Sequence, residues 1–252
     1  IMMKVIQIKG MRLGEGNTKI CIPLVSSQLE QLKQEAKKAA QATPDLVEWR
    51  VDFFDQVDEI QAVERTLECI VNILDPIPLL FTFRTKSEGG QREITEDYYQ
   101  QLNQMAIKKA DIIDVELLMG DTTVLELCNY AHRFSKHVIV SNHDFEKTPP
   151  KHEILNRLRK MYQLGADIPK IAVMPQTQQD VLTLLCASQQ MYQACDCPII
   201  TMSMGHLGML SRIAGNLSGS ALTFGAIDEV SAPGQIAVQE LKMILNVLSK
   251  EK

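Results

Sequence analysis

Lys170 stands in the stretch ADIPKIAVMP, where Ile171, Ala172 and Val173 read as a buried strand between Pro169 and Pro175. An ammonium is costly in such surroundings, so the lysine asks for a chemical reason. Burial and cations such as Arg50 and Arg84 disfavour the charged form, and a neutral buried amine is a nucleophile for ketones. The protonated imine that results is an electron sink that acidifies the adjacent carbon. His143, in VIVSNH, is of the type to take that proton. Glu88, in FRTKSEGGQRE, can orient the imidazole, and the paired glycines after it let the loop pass close to a ligand.

These residues need a scaffold that gathers them. Short β-branched runs alternate with longer amphipathic stretches: KICIPLV, LVEWRVD, PLLFTFR, DIIDVEL, HVIVSNH, IPKIAVM, PIITMSM and ALTFGAI make eight strand candidates. Helical composition fills 27–42, 56–74, 95–109, 122–135, 151–164, 176–193 and 235–248, each long enough for a crossover between parallel strands. Eight β-α units in 252 residues predict an α/β fold, a (β/α)8 TIM barrel. The stretch VIQIKGMRLGEG reads as a short hairpin that plugs one barrel end. No compositional break divides the chain, so a single domain over 1–252 is expected. A doubly wound open sheet is the alternative, disfavoured because no glycine-rich phosphate loop follows the first strand.

Barrel strands alternate between the interior and the helices, so parity predicts where charges point. Val47, Trp49 and Val51 share one face, leaving Glu48 and Arg50 on the other. The same rule sends Thr82 and Arg84 inward, pairs Asp114 with Glu116, sets Ser141 and His143 together, and groups Lys170 with Ile168 and Ala172. Taken singly, a strand lysine is commonly a solvated edge residue, and an Arg–Glu pair is commonly a salt bridge. Five strands aiming such groups into one interior, near their C-terminal ends, instead point to an active site at the barrel mouth. Glu48, Glu116 and His143 also suit a metal, but the cations in the same pocket repel one.

The remaining composition narrows the partners. A formal net charge of −5 and the lack of a basic run argue against nucleic acid and anionic membrane, so an anionic ligand must be held by local arginines. The start, IMMKVIQIKG, reads as neither signal peptide nor membrane span. Six cysteines scattered through apolar stretches read as reduced, buried cytosolic thiols, with disulfides or zinc on CDC a lesser alternative.

EWRVD, FTFRTKSEGGQ, SNHDF, GADIPKIAVMP, TMSM and SAPGQ, in this order and spacing, resemble the type I 3-dehydroquinate dehydratases over nearly the whole chain. The resemblance implies a TIM barrel, commonly dimeric and cytoplasmic, that dehydrates 3-dehydroquinate in the shikimate pathway without metal or organic cofactor. It gives Lys170 the imine, His143 the proton transfers and Glu88 the orientation of the ring. It gives Arg212, in MLSRIAG, the substrate carboxylate, for which a guanidinium fork is well matched. Glu48, Arg50 and Arg84 are implied to bind ring hydroxyls and order the pocket, Met202 and Phe224 to line it, and Ser231 and Gln235 to close over it from a loop that orders on binding. The chain departs from the pattern in two places: Pro23 stands where a serine is usual, and Gly205, His206 and Leu207 replace a small-Lys-Glu run.

Two other readings stay open on the residues. A class I aldolase uses the same imine in the same fold, and differs in breaking a carbon–carbon bond. A non-catalytic barrel that binds an acidic sugar needs no neutral lysine. A quinate-degrading role uses the same reaction as a biosynthetic one.

Overall fold

The structure, a computed structural model, describes residues 5–227 and 236–249. It opens with an antiparallel hairpin, β1 (Ile6–Ile8) and β2 (Met11–Leu13). Eight parallel strands follow: β3 (Lys19–Leu24), β4 (Leu46–Arg50), β5 (Leu79–Thr82), β6 (Ile112–Glu116), β7 (His137–Asp144), β8 (Ile168–Val173), β9 (Ile200–Ser203) and β10 (Leu222–Phe224). They run in the order β10-β3-β4-β5-β6-β7-β8-β9, and each predicted strand run supplies one. The seam between β9 and β10 is closed by a bridge at Ile199 and Ser220. There the Ser220 hydroxyl accepts from the Thr201 N–H at 2.9 Å and donates to the Thr201 carbonyl at 3.2 Å, in place of a backbone ladder.

The crossovers are α1 (Leu29–Gln41), α2 (Ile60–Leu74), α3 (Glu96–Ala106), α4 (Asp121–Arg133), α5 (Lys151–Gln163) and α6 (Gln178–Ala194). Their starts follow local chemistry. Thr95 caps α3 by accepting from the Tyr98 N–H, and Thr177 and Asp180 form a reciprocal capping box at α6. Between β9 and β10 lie α7 (Met209–Ile213) and α8 (Gly215–Ser218), which the sequence did not announce because helices of five and four residues are too short to show a period. The last helix is α9 (Val238–Leu248).

Parity decides the packing. Val47, Trp49, Phe81, Phe83, Ile113, Val115, Val138, Val140, Ile171 and Val173 join the helices in one buried cluster, where Trp49 meets Phe54 and Phe81 edge-on at 5.8 and 5.7 Å. The opposite parity builds the barrel interior. Its lowest layer is apolar, Cys21, Leu46, Leu80, Ile112, Ile139, Ile168, Ile200 and Leu222, and the hairpin residues Ile6, Ile8, Met11 and Leu13 pack beneath it. The hairpin is therefore the plug the sequence predicts, and Lys9 at its turn ties it to Asp111 at 3.3 Å. With water excluded from below, ligand access is left to the C-terminal mouth.

The cysteines depart in part from expectation. All six are free, and Cys21, Cys128, Cys195 and Cys197 are buried, but Cys69 is half-buried and Cys186 exposed, on the solvent sides of α2 and α6. Among the described residues no helix is long and apolar enough to cross a membrane.

Candidate active site

Two residues above the apolar floor, the same parity delivers Glu48, Thr82, Asp114, Ser141, Lys170, Met202 and Phe224; two residues further come Arg50, Arg84, Glu116, His143 and Ala172. Lys170 pairs in register with Ser141 on β7, and His143 with Ala172 on β8. The imidazole is thus offset from the lysine by two residues along adjacent strands, roughly 6.6 Å, which leaves room for a ring carbon between them.

The lysine does not face bare arginines, as the sequence reading supposed. Its Nζ donates to Asp114 Oδ2 at 3.2 Å and lies 5.0 Å from the centre of the Phe224 ring. Asp114 is wholly buried, accepts from Ser141 at 2.6 Å and pairs with Arg84 at 2.9 Å. Burial pushes its pKa up, but Arg84, Lys170 and the Ser141 hydrogen bond outweigh that and leave it lowered, so Asp114 is a standing anion. Arg84 in turn donates to Glu116 at 2.8 Å and to Ser141 at 3.0 Å. Burial disfavours its charge, yet Asp114, Glu116 and Glu88 together hold its pKa above the usual value. Glu116 is also taken up by the Thr85 N–H and hydroxyl, so its oxygens are committed to Arg84 and Thr85.

His143 is held by Glu88, whose Oε2 accepts from both its backbone N–H and ring Nδ1 at 2.8 Å. Burial, then the cations Arg84, Lys170 and Arg50, push the imidazole well below its usual pKa. Burial and Glu116 push Glu88 up to about 8, against the opposing pull of Arg84 and its N–H donors.

The loop that carries Glu88 closes only because residue 90 lacks a side chain. A Cβ there falls 1.9 Å from the Arg84 carbonyl oxygen and 2.8 Å from that of Thr85, while a Cβ at Gly89, at φ +85°, meets the Phe145 ring at 2.4 Å. Gly90→Ala should therefore displace Glu88 and lower turnover by about 10²-fold, in line with an ångström-scale misplacement of a catalytic group. Steady-state assays of the folded variant check this, and wild-type turnover contradicts it.

Around this core, Arg50 is fixed by the wholly buried Asp52 through two hydrogen bonds of 2.8 Å, and Glu48 accepts from Thr82 at 2.8 Å. Asp52 also accepts from the Arg84 and Gln91 N–H groups at 3.4 and 3.2 Å, binding the start and end of the Glu88 loop. Arg212, on α7, lines the same cavity; its Nε is buried with no hydrogen-bond partner among the described residues, and burial lowers its pKa. The cavity holds about 370 Å³ and brings together Glu48, Arg50, Arg84, Glu88, His143, Lys170, Met202, Arg212 and Phe224, with Pro23 and Val25 forming an apolar side. Ser231 and Gln235, and the loop around them, lie outside the described residues.

Asp52, Asp114 and Ser141 were not singled out as site residues. Parity offered the signal, since Asp52 follows Arg50 by two, and Asp114 and Ser141 share the inward face with Lys170; which partner each would find needs the register of neighbouring strands.

The model of type I 3-dehydroquinase matches residues 20–252. A 3-dehydroquinate dehydratase of Clostridioides difficile (strain 630) is 49% identical over 252 residues, covering 99% of both chains. One of Clostridium botulinum (strain Eklund 17B / Type B) is 50% identical over 250 residues, covering 98% of both. The crystal structure of type I 3-dehydroquinate dehydratase from Clostridium difficile with covalent modified comenic acid superposes with a TM-score of 0.97 at 49% identity, over 98% of this chain and 99% of that one. The 3-dehydroquinate dehydratase of Geobacillus kaustophilus HTA426 does so with a TM-score of 0.94 at 36% identity, over 97% and 96%. On a match that runs from the first barrel strand through the last helix, this chain belongs to the type I 3-dehydroquinase family.

Proposed function

We propose that the chain dehydrates 3-dehydroquinate to 3-dehydroshikimate, as a hydro-lyase of the shikimate pathway, through an imine on Lys170. The observation that carries this reading is the buried Lys170 on its Asp114 counter-ion, with His143 two residues further along the neighbouring strand. Nζ gives up one proton to the ketone oxygen as it adds at C3 and a second as that oxygen leaves as water, giving a protonated imine that stays beside Asp114. His143 Nε2 takes a proton from C2, and the electron pair moves into the imine to give an enamine. The enamine then expels the C1 hydroxyl as water, with the proton returned by His143. A second water hydrolyses the imine and frees Lys170, so the net product is one water per turnover.

Arg212 suits the substrate carboxylate because its buried Nε has no hydrogen-bond partner among the described residues. Glu48 and Arg50 face the ring hydroxyls, Met202 and Phe224 line the apolar walls, and Arg84 orders the floor through its carboxylates. Ser231 and Gln235 close over the ligand in this reading. We extend the proposal to a single barrel domain over 1–252, a homodimer and a cytoplasmic location.

Adding 3-dehydroquinate should produce the absorbance rise of a conjugated enone, without products of carbon–carbon cleavage. The rise should survive prolonged EDTA treatment, since electrophilic activation is assigned to the imine. A flat absorbance, cleavage products, or chelator-sensitive turnover restored by a divalent ion would overturn it.

A further inference from the structure

We propose that Arg157 and Asn142 form a positioning pair, reaching from the outer helix layer through β7, that anchors the Glu88 carboxylate and so keeps Nε2 of His143 turned to the substrate. The inference rests on His143 acting as the base.

Glu88 is gripped on both oxygens. Oε2 accepts from His143, and Oε1 accepts from Asn142 Nδ2 at 3.3 Å. Asn142 is itself oriented by Arg157 of α5, whose Nη1 donates to Asn142 Oδ1 at 2.9 Å. The amide can face only one way: reversed, its oxygen would meet the carboxylate and its NH₂ the guanidinium. Arg157 is braced by Glu153 on its own helix and by Asp144 at 3.5 Å on β7, so its fork is fixed rather than free to follow solvent. Both Asn142 Nδ2 and the His143 N–H stabilise the anionic form of Glu88.

The charge state of Glu88 decides what His143 can do. With Glu88 ionised, Nδ1 carries the proton and donates to it, and Nε2 presents a lone pair to the pocket. With Glu88 protonated, Nδ1 accepts, the ring proton moves to Nε2, and the base is lost. The charged groups facing Glu88 are Glu116 from β6 and Arg84 after β5, with His143 from β7; Glu116 and burial raise its pKa to about 8, while Arg84, Asn142 and the His143 N–H pull it down. Losing the Asn142 donor must raise it further. Glu88 is then protonated over a wider range, so activity is lost as pH falls and returns as pH rises.

The test is kcat against pH for Asn142→Leu, Arg157→Met and Arg157→Lys, with His143→Ala alongside. Asn142→Leu should move the acid limb up by about one pH unit, a tenfold loss below it, and regain near wild-type kcat at high pH. Arg157→Met should shift the limb the same way by less, and Arg157→Lys should restore it. The Arg157 variants, at a partly exposed site, keep the test valid if Asn142→Leu fails to fold. A loss equal at every pH, or limbs that superpose on the wild type, would overturn the positioning pair while His143→Ala stays slow; normal turnover in His143→Ala would remove the pair's role together with the base it serves.

Discussion

Lys170→Met is expected to lower turnover by about 10⁴-fold or more while leaving the barrel folded. In the proposed mechanism the imine supplies the whole electron sink, and removal of a covalent nucleophile in other enzymes has effects of that order. Removing one partner of a buried ion pair commonly destabilises by about 3–5 kcal/mol, because a charge is left uncompensated. Here Asp114 keeps Arg84 at 2.9 Å and Ser141 at 2.6 Å, so its charge remains answered when the ammonium is gone. Methionine nearly matches lysine in volume and its thioether suits the Phe224 face, so no cavity opens. A melting temperature close to the parent's, with turnover gone, is the expected pair of results. Substantial turnover in this variant contradicts the assignment of the nucleophile.

His143→Ala should slow turnover by about 10²–10⁴-fold, the usual contribution of general acid–base catalysis, without preventing substrate from loading onto Lys170. Lys170 is held by Asp114 and Phe224, contacts that the substitution leaves in place, so the amine can still add to the ketone. Covalent adduct should therefore accumulate and appear by mass spectrometry of the intact protein. The variant also leaves Glu88 without its ring partner, though the residue 143 N–H and Asn142 still hold the carboxylate. Turnover at the parental rate would make His143 structural. A slow variant in which no adduct forms would move its main role to the imine-forming step.

Much of the architecture could be read from the chain. The eight strands follow from β-branched runs, and their two faces from the period of two, because in a closed barrel one parity must meet the helices and the other must fill a narrow interior. That rule alone sets Glu48, Arg84, His143 and Lys170 facing one another, and the motif resemblance adds Arg212, Met202 and Phe224. What it could not supply was pairing. Charge counting set Arg50 and Arg84 against Lys170, whereas the charge of each arginine is answered by carboxylates of its own, Asp52 for one and Asp114 with Glu116 for the other. Those partners depend on strand register, which sequence parity leaves free. The link from Arg157 through Asn142 to Glu88 was beyond reach for a different reason: it joins a strand and its following helix to a loop on a separate β-α unit. The seam at Ser220 likewise shows no periodic signal, being one hydroxyl standing in for a ladder.

The imine itself is the claim on which the rest depends, and borohydride reduction tests it most directly. Borohydride added with 3-dehydroquinate should reduce the imine to a stable secondary amine and inactivate the enzyme permanently, whereas borohydride alone should leave activity intact. Peptide mapping should then find the added mass on Lys170, within IPKIAVMPQ, and on none of the exposed lysines, whose protonated amines are poor nucleophiles at neutral pH. Retained activity after the combined treatment, or a label on any other lysine, would contradict the mechanism.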